Sequence, residues 1–214
     1  MVIAIYQLQF FNYGFVSMKI GVLALQGDFI EHEKILHSLG ANAIQVRKPE
    51  ELRELDGLII PGGESTTFGK LAVEYGLIEP IRDMCNAGKP VWGTCAGMIF
   101  LAKEVGMRQP LVGVMDVKVK RNAFGRQVDS FEIDLDIPAL ATVSNNGNPY
   151  RPFHAIFIRA PMIESVGKNV EVLAKLDDHT IVVARQDNLL ATSFHPELTT
   201  DTRFHRYCLA RLGN

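Results

Sequence analysis

Two kinds of hydrophobic pattern divide the chain. In the first half, short and nearly unbroken apolar runs alternate with stretches whose apolar positions recur at helical spacing. Lys19 to Leu25 is such a run, as expected of a parallel strand buried on both faces. A helix follows over about Phe29 to Leu39, with Phe29, Ile35, Leu36 and Leu39 on one stripe and Gly40 as its stop. The same reading gives a strand at Ala43 to Val46, a short helix at Pro49 to Leu55 and a strand at Leu58 to Ile60. Helices at Thr66 to Glu74 and Ile78 to Ala87, a strand ending before Cys95 and a helix at Ile99 to Val105 complete this half. Alternating β and α elements with short connections predict an α/β fold of three layers, a largely parallel sheet with helices on both faces. Ligand sites then lie outside the carboxyl ends of the strands.

After Val105 the pattern turns to strands: Val112 to Val119, Val128 to Leu135, Ala155 to Ile158, Glu171 to Leu176, Thr180 to Arg185 and Leu190 to Phe194. The alternation in Val117-Lys118-Val119-Lys120 and Phe131-Glu132-Ile133-Asp134-Leu135 predicts half-exposed antiparallel strands in the C-terminal half. A helix at Thr202 to Leu212 closes the chain, and Ser144 to Tyr150 reads as a loop of turn formers. Residues 1–17 are apolar and aromatic but broken by Gln7, Gln9, Asn12 and Gly14. They carry no basic n-region and no small-residue cleavage site, and their apolar runs are too short to span a bilayer. They read as an N-terminal extension, with one domain over 18–214.

A length of 214 residues, 47% of them hydrophobic, suits one α/β domain with a buried core. The net charge of −2, with no Lys/Arg block, argues against nucleic acid or an anionic membrane as partner. Cys85, Cys95 and Cys208 are odd in number and form no C-x-x-C pair, which argues against a disulfide framework or a zinc site and fits a reducing cytoplasm.

The candidate chemistry starts at Gly93-Thr94-Cys95-Ala96-Gly97, between an apolar strand and an apolar helix. Glycines on either side let a strand reverse sharply into a helix and leave Cys95 projecting, as in a nucleophile elbow. At a helix N-terminus the dipole favours the nucleophilic thiolate. The same pattern fits a small cysteine packed in a Gly-rich connection, so other stretches have to decide. Ser193-Phe194-His195-Pro196-Glu197 lies at the exit of the last strand, offering His195 as base and Glu197 as the acceptor that sets its tautomer. Pro61-Gly62-Gly63-Glu64-Ser65-Thr66-Thr67 follows a buried strand. It reads either as an ordinary turn with a capping Ser or Thr, or as a turn whose N–H groups face an oxyanion near Cys95.

With P-G-G-E-S-T-T, G-T-C-A-G and S-F-H-P-E-L in this order, the chain resembles the class I (triad) glutamine amidotransferases, whose flavodoxin-like α/β fold agrees with the pattern above. Within them it is most similar to the glutaminase subunits of pyridoxal 5′-phosphate synthases. That narrowing rests on Gly21-Val22-Leu23-Ala24-Leu25-Gln26-Gly27 with Glu31-His32, on Arg121-Asn122-Ala123-Phe124-Gly125-Arg126-Gln127, and on Phe157-Ile158-Arg159-Ala160-Pro161. The resemblance runs from about Met18 to the C-terminus. The elbow alone is shared with lipases and peptidases, whereas the second and third stretches are far more specific.

The resemblance implies a Cys95–His195–Glu197 triad that hydrolyses L-glutamine to glutamate and ammonia through a cysteinyl thioester. It implies glutamine contacts at Gly63, Glu64, Ser65, Arg121, Ile158 and Arg159, and oxyanion donors at Gly63 and Ala96. It implies no cofactor and no metal in this chain. Its partner is a (β/α)8-barrel synthase subunit, in a large hetero-oligomer, that receives the ammonia. The glutaminase of another amidotransferase, such as imidazole glycerol phosphate synthase, and a non-catalytic binding protein of the same fold are the alternatives.

Overall fold

The computed structural model describes residues 18–121, 130–144, 148–177 and 179–211. The extension at 1–17, most of the 121–127 stretch, the start of the strand expected from Val128, the centre of the 144–150 loop and the end of the helix expected to reach Leu212 lie outside them.

The first half follows the alternation. Strands β1 (Lys19–Leu23), β2 (Asn42–Val46), β3 (Gly57–Ile60) and β4 (Val91–Thr94) alternate with helices α1 (Phe29–Ser38), α2 (Ser65–Glu74) and α3 (Ile78–Asn86). The segment Pro49–Leu52 is a short 3-10 helix. Helix α4 (Ala96–Leu101) follows Cys95 directly. It begins and ends earlier than its apolar pattern suggests, because Ala102–Glu104 leaves it as strand β5. In an all-apolar run such as Met98-Ile99-Phe100-Leu101-Ala102 periodicity cannot mark where the helix stops.

The second half contains β6 (Met115–Lys120), β7 (Ser130–Leu135), β8 (Phe153–Ile158), β9 (Met162–Val166), β10 (Glu171–Lys175), β11 (Ile181–Gln186), β12 (Leu189–Thr192) and α5 (Arg203–Ala210). The pattern expects a strand from Val112, but Val112 and Val114 donate instead to the carbonyls freed at the end of α4, Phe100 O and Leu101 O at 2.9 and 3.0 Å. Two elements carry no clear sequence signal. Strand β9 has one buried residue, Ile163, among Met162, Glu164, Ser165 and Val166. The 3-10 helix Pro138–Val143 buries Leu140 and Val143, and Ile137 precedes it. That spacing of three is the one at which side chains of a 3-10 helix eclipse.

The main sheet has ten strands, in the order β2-β1-β3-β4-β12-β11-β9-β6-β5 with β10 paired to β11. Strands β2, β1, β3, β4 and β12 run parallel to one another; β11 is antiparallel to its neighbours, and β9 to β6. Successive residues of the central strands enter opposite cores. Leu23, Leu58, Ile60 and Val91 face the α2, α3 and α4 side, while Ile20, Val22, Ile59 and Trp92 face α1 and α5. The mostly parallel sheet with helices on both faces, and the antiparallel strands in the C-terminal half, are as the pattern predicts. No helix among the described residues is long and apolar enough to cross a membrane.

Strand order positions the site. The chain leaves β1 to one side for β2 and returns to the other side for β3, so β1 and β3 flank a switch point, where parallel sheets leave a crevice at their carboxyl ends. Loops after β1, β3, β4 and β12 all open on that edge.

The separate antiparallel ribbon β7–β8 is held against this edge by aromatic rings. Phe131 stacks on Phe157 at 4.5 Å, Phe157 meets Phe194 at 5.3 Å, and Phe153 meets Phe204 edge-on at 4.8 Å. His195 N donates to Ile156 O at 2.9 Å, fastening the ribbon to the end of β12.

Candidate active site

Cys95 lies between β4 and α4 at φ 47 and ψ −103, a left-handed backbone that a non-glycine residue seldom adopts. Its amide donates to Thr192 O on β12 at 2.8 Å. The flanking glycines are required by contact. A Cβ at Gly93 meets Gly97 C at 2.5 Å, and one at Gly97 meets Ile60 O at 1.9 Å. The thiol is nearly buried and stands 4.0 Å from Ile158 O, at the end of β8.

His195 and Glu197 follow β12 through Pro196, which opens a short 3-10 turn. His195 Nδ1 is 2.7 Å from Glu197 Oε1, both side chains being buried. Burial opposes a charge on His195, but hydrogen bonds to Asp28, Cys95 and Glu197 outweigh it and raise its pKa to about 12. Burial raises Glu197 from its ordinary value, against the pull of the His195 bond. The expected thiol, imidazole and carboxylate therefore meet at the crevice, with the imidazole held in its protonated form.

Asp28, from the loop after β1, was given no role from sequence. Its Oδ2 is 3.4 Å from His195 Nδ1, and the His195 hydrogen bond lowers its pKa despite partial burial. Asp28, His195 and Glu197 have potential ligand atoms within 4.8 Å of one another. His195 Nδ1 faces both carboxylates, which accounts for that closeness.

The turn after β3 is clasped by Gln26. Its side chain accepts from Glu64 N at 3.3 Å and donates to Glu64 O at 3.2 Å. Gly63 has φ +147, and a Cβ there meets the Gln26 carboxamide at 2.3 Å; a Cβ at Gly62 meets His195 Cε1 at 2.5 Å. The turn thus passes directly beside the imidazole. Gln26, like Asp28, becomes informative only when the loops after β1 and β3 are adjacent.

The expected glutamine contacts fall into two groups. On one side, Glu64 caps α2 by accepting from Thr66 N and Thr67 N at 3.1 and 2.7 Å. Partial burial opposes its charge, but those N–H bonds lower its pKa to about 2. Arg121 Nη2 is 3.2 Å from Glu64 Oε1, and its Nη1 donates to Thr66 Oγ1 and Gln109 Oε1 at 3.1 Å. Ser65 Oγ is buried with no hydrogen-bond partner among the described residues. On the other side, Ile158 presents its carbonyl to Cys95, and Arg159 turns the chain at φ 46. Ala96 begins α4, where the first amides have no intrahelical acceptor.

The class of site is thus a strained cysteine at the carboxyl edge of a mostly parallel α/β sheet, beside an imidazole bonded to a buried carboxylate. The chain belongs to the SNO glutamine amidotransferase family, whose sequence model matches residues 22–213. It is 58% identical over 196 residues to the pyridoxal 5′-phosphate synthase subunit PdxT of Herpetosiphon aurantiacus, covering 90% of this chain and 99% of that protein. It is 59% identical over 195 residues to the PdxT of Dehalococcoides mccartyi, covering 89% of this chain and 95% of that one. A crystal structure described as a glutamine amidotransferase matches with a TM-score of 0.83 at 52% identity, covering 91% of this chain and 99% of that one. The PurLQS structure from Thermotoga maritima matches at 15% identity with a TM-score of 0.67, covering 92% and 98%, a likeness of fold alone.

Proposed function

We propose that this chain is the glutaminase subunit of a pyridoxal 5′-phosphate synthase, hydrolysing L-glutamine and passing the ammonia to a synthase subunit. The observation that carries this reading is the meeting of Cys95 with the 2.7 Å His195–Glu197 pair at one sheet edge, in a chain of this family.

The Cys95 thiolate adds to the carboxamide carbon of glutamine, forming a C–S bond and a tetrahedral oxyanion. The amides of Ala96 and Gly63 donate to that oxygen, a contribution of about 3 kcal/mol per donor in other hydrolases. Collapse breaks the C–N bond while His195, held protonated, delivers its proton to the nitrogen, and ammonia leaves. Neutral His195 then takes a proton from water as its oxygen attacks the thioester carbon. The C–S bond breaks, releasing glutamate and restoring the thiolate–imidazolium pair. Glu197 holds Nδ1–H, so Nε2 serves the reaction, and supports the imidazolium charge.

Glutamine is held by Gly63, Glu64, Ser65, Arg121, Ile158 and Arg159. The Ser65 hydroxyl, with no partner among the described residues, supports a polar contact to substrate there, whereas Glu64 and Arg121 already face each other at 3.2 Å. Substrate therefore enters a preformed ion pair. The partner is a (β/α)8-barrel subunit in a large hetero-oligomer, and three free cysteines suit a cytoplasmic setting.

The test is co-incubation with the synthase subunit, glutamine, a pentose phosphate and a triose phosphate. Equimolar glutamate and pyridoxal 5′-phosphate are expected. Glutamate without pyridoxal 5′-phosphate points to another amidotransferase, and neither product overturns the reading.

A further inference from the structure

The reaction above uses one oxygen of Glu197. Its other oxygen, Oε2, is buried with no formed hydrogen bond among the described residues. The nearest charged or polar contact recorded for it is His32 Nε2 at 3.3 Å, with both side chains 0% exposed. His32 projects from the first turns of α1 and was notable in the sequence only as part of a diagnostic stretch. Behind it, His32 Nδ1 is 2.9 Å from Nε2 of His205, a residue of α5 that is also fully buried. His205 Nδ1 has no hydrogen-bond partner among the described residues. Trp92 meets both rings edge-on, at 5.5 and 5.0 Å, and fixes their planes.

With Glu197 ionised, one proton arrangement avoids opposed lone pairs along this row. A ring nitrogen facing a carboxylate oxygen must then carry hydrogen, since two lone pairs would otherwise oppose each other between fully buried side chains. His32 Nε2 is therefore protonated. Burial, reinforced by His205 and His195, holds the His32 pKa well below its ordinary value, so the ring is neutral and Nδ1 is bare. His205 Nε2–H must then donate to it, which leaves His205 Nδ1 bare, and that is the nitrogen found without a partner. Burial keeps His205 neutral as well, with a pKa of about 3.

We propose that His32 is a positioning residue of the glutaminase reaction: its Nε2–H holds the outer oxygen of Glu197, with its tautomer set by His205. No proton leaves His32 during turnover. It keeps the carboxylate ionised and in the plane that aims Oε1 at His195. Thr94 Oγ1, one residue before the nucleophile, lies 3.4 Å from the same Nε2 and shares this restraint. This inference rests on the catalytic reading of Cys95, His195 and Glu197.

The test uses the assembled glutaminase–synthase complex. His32→Phe fills the space without a donor, and His32→Gln keeps an N–H at similar reach. His32→Phe is expected to lower kcat for glutamate release by about 10–100-fold, the range known for partners behind metal-bound ligands. KM should stay within about twofold, since no substrate contact is lost. The titratable groups facing the pair are Asp28 and Cys95 at His195, and His195, His32 and Asp28 at Glu197. With the His32 donor gone, Glu197 holds its charge less well and His195 loses its proton more easily, so the alkaline limb of kcat moves to lower pH. His32→Gln should restore most of both. Each variant should co-purify with the synthase subunit at the wild-type ratio, which establishes folding and docking.

Wild-type kcat and pH profile in His32→Phe overturn the proposal. So does an equal loss in both variants with the alkaline limb unmoved. If His32→Phe fails to assemble, nitrogen-15 imidazole signals of the wild-type chain decide. The Nε2–H tautomer at His32 supports the proposal, and Nδ1–H overturns it. A wild-type complex that releases no glutamate overturns the proposed function itself, a result distinct from these.

Discussion

Cys95 carries backbone strain at φ 47, of the order of 1–3 kcal/mol for such a conformation, that no packing argument requires of a merely buried cysteine. Cys85 and Cys208 are held instead as inert thiols, each pushed up to about 12 by burial. Cys95→Ala should abolish glutamine hydrolysis and keep the fold, because alanine retains the Cβ and only the thiol is lost. Ammonium salts should still support synthesis by the complex. Glutamate release by a pure Cys95→Ala sample would contradict the assignment. His195→Ala should be nearly as damaging, while Glu197→Gln should keep a trace of activity, because an orienting group is partly replaceable. Complete and equal loss in both would count against these separate roles. Gly63→Ala should depress activity through the collision with the Gln26 carboxamide, and Gln26→Ala in the same chain should recover part of the loss. No recovery would place the defect in the backbone angle alone.

At the scale of elements, the legible part of the chain was the part where one signal sufficed. Continuous apolar runs such as Leu58-Ile59-Ile60 locate β1, β3 and β4, and the elbow, Gly-Gly turn and His-Pro-Glu exit follow them directly. Strand β9 and the 3-10 helix 138–143 were not legible, since the first buries one side chain and the second has a spacing that belongs to neither period. Gln26, Asp28 and His32 were not legible as functional groups for another reason. Their partners, Glu64, His195 and Glu197, are brought to them by sheet order and by no local pattern. The β7–β8 ribbon tests how far an element sets the site. Phe157 is fully buried between Phe131 and Phe194, and Phe157→Ala should cost about 3–5 kcal/mol. Because the ribbon also carries Ile158 to within 4.0 Å of Cys95, KM for glutamine should rise as the melting temperature falls. A loss of stability with KM unchanged would separate the ribbon from substrate binding.

At the scale of the whole molecule, the sheet brings four loops to one edge and packs α1 and α5 behind them, and two buried histidines, His32 and His205, are part of that packing. The pH dependence of stability follows from their burial. In the unfolded chain His205 accepts a proton near pH 6.5, whereas the folded chain refuses it until about 3, so stability present above about pH 6.5 is lost on acidification. The slope is at most about 1.4 kcal/mol per pH unit for each such group, and His32 acts in the same direction. Only His32, itself neutral, faces His205 as a titratable group among the contacts recorded for it. The melting temperature should fall between about pH 6.5 and 4.5, less steeply in His205→Phe. An unchanged slope in that variant would rule out this origin.

The same edge is where a synthase subunit would act on the Gly62–Gly63 turn. A Gly-Gly peptide has backbone regions open to it that other residues lack, so docking can complete the oxyanion site without moving the triad. The central claim is that this chain hydrolyses glutamine at Cys95 in the service of a synthase subunit. The most direct measurement is steady-state glutamate release by the isolated chain and by the chain saturated with its synthase subunit, alongside alkylation of Cys95 in both. The account predicts an alkylatable Cys95 in a slow isolated chain, and a kcat higher by about 10²–10³ on docking, the effect of one oxyanion donor. Full activity in the isolated chain, unchanged by the synthase, would refute the docking step. No glutamate release in either state would contradict the central claim.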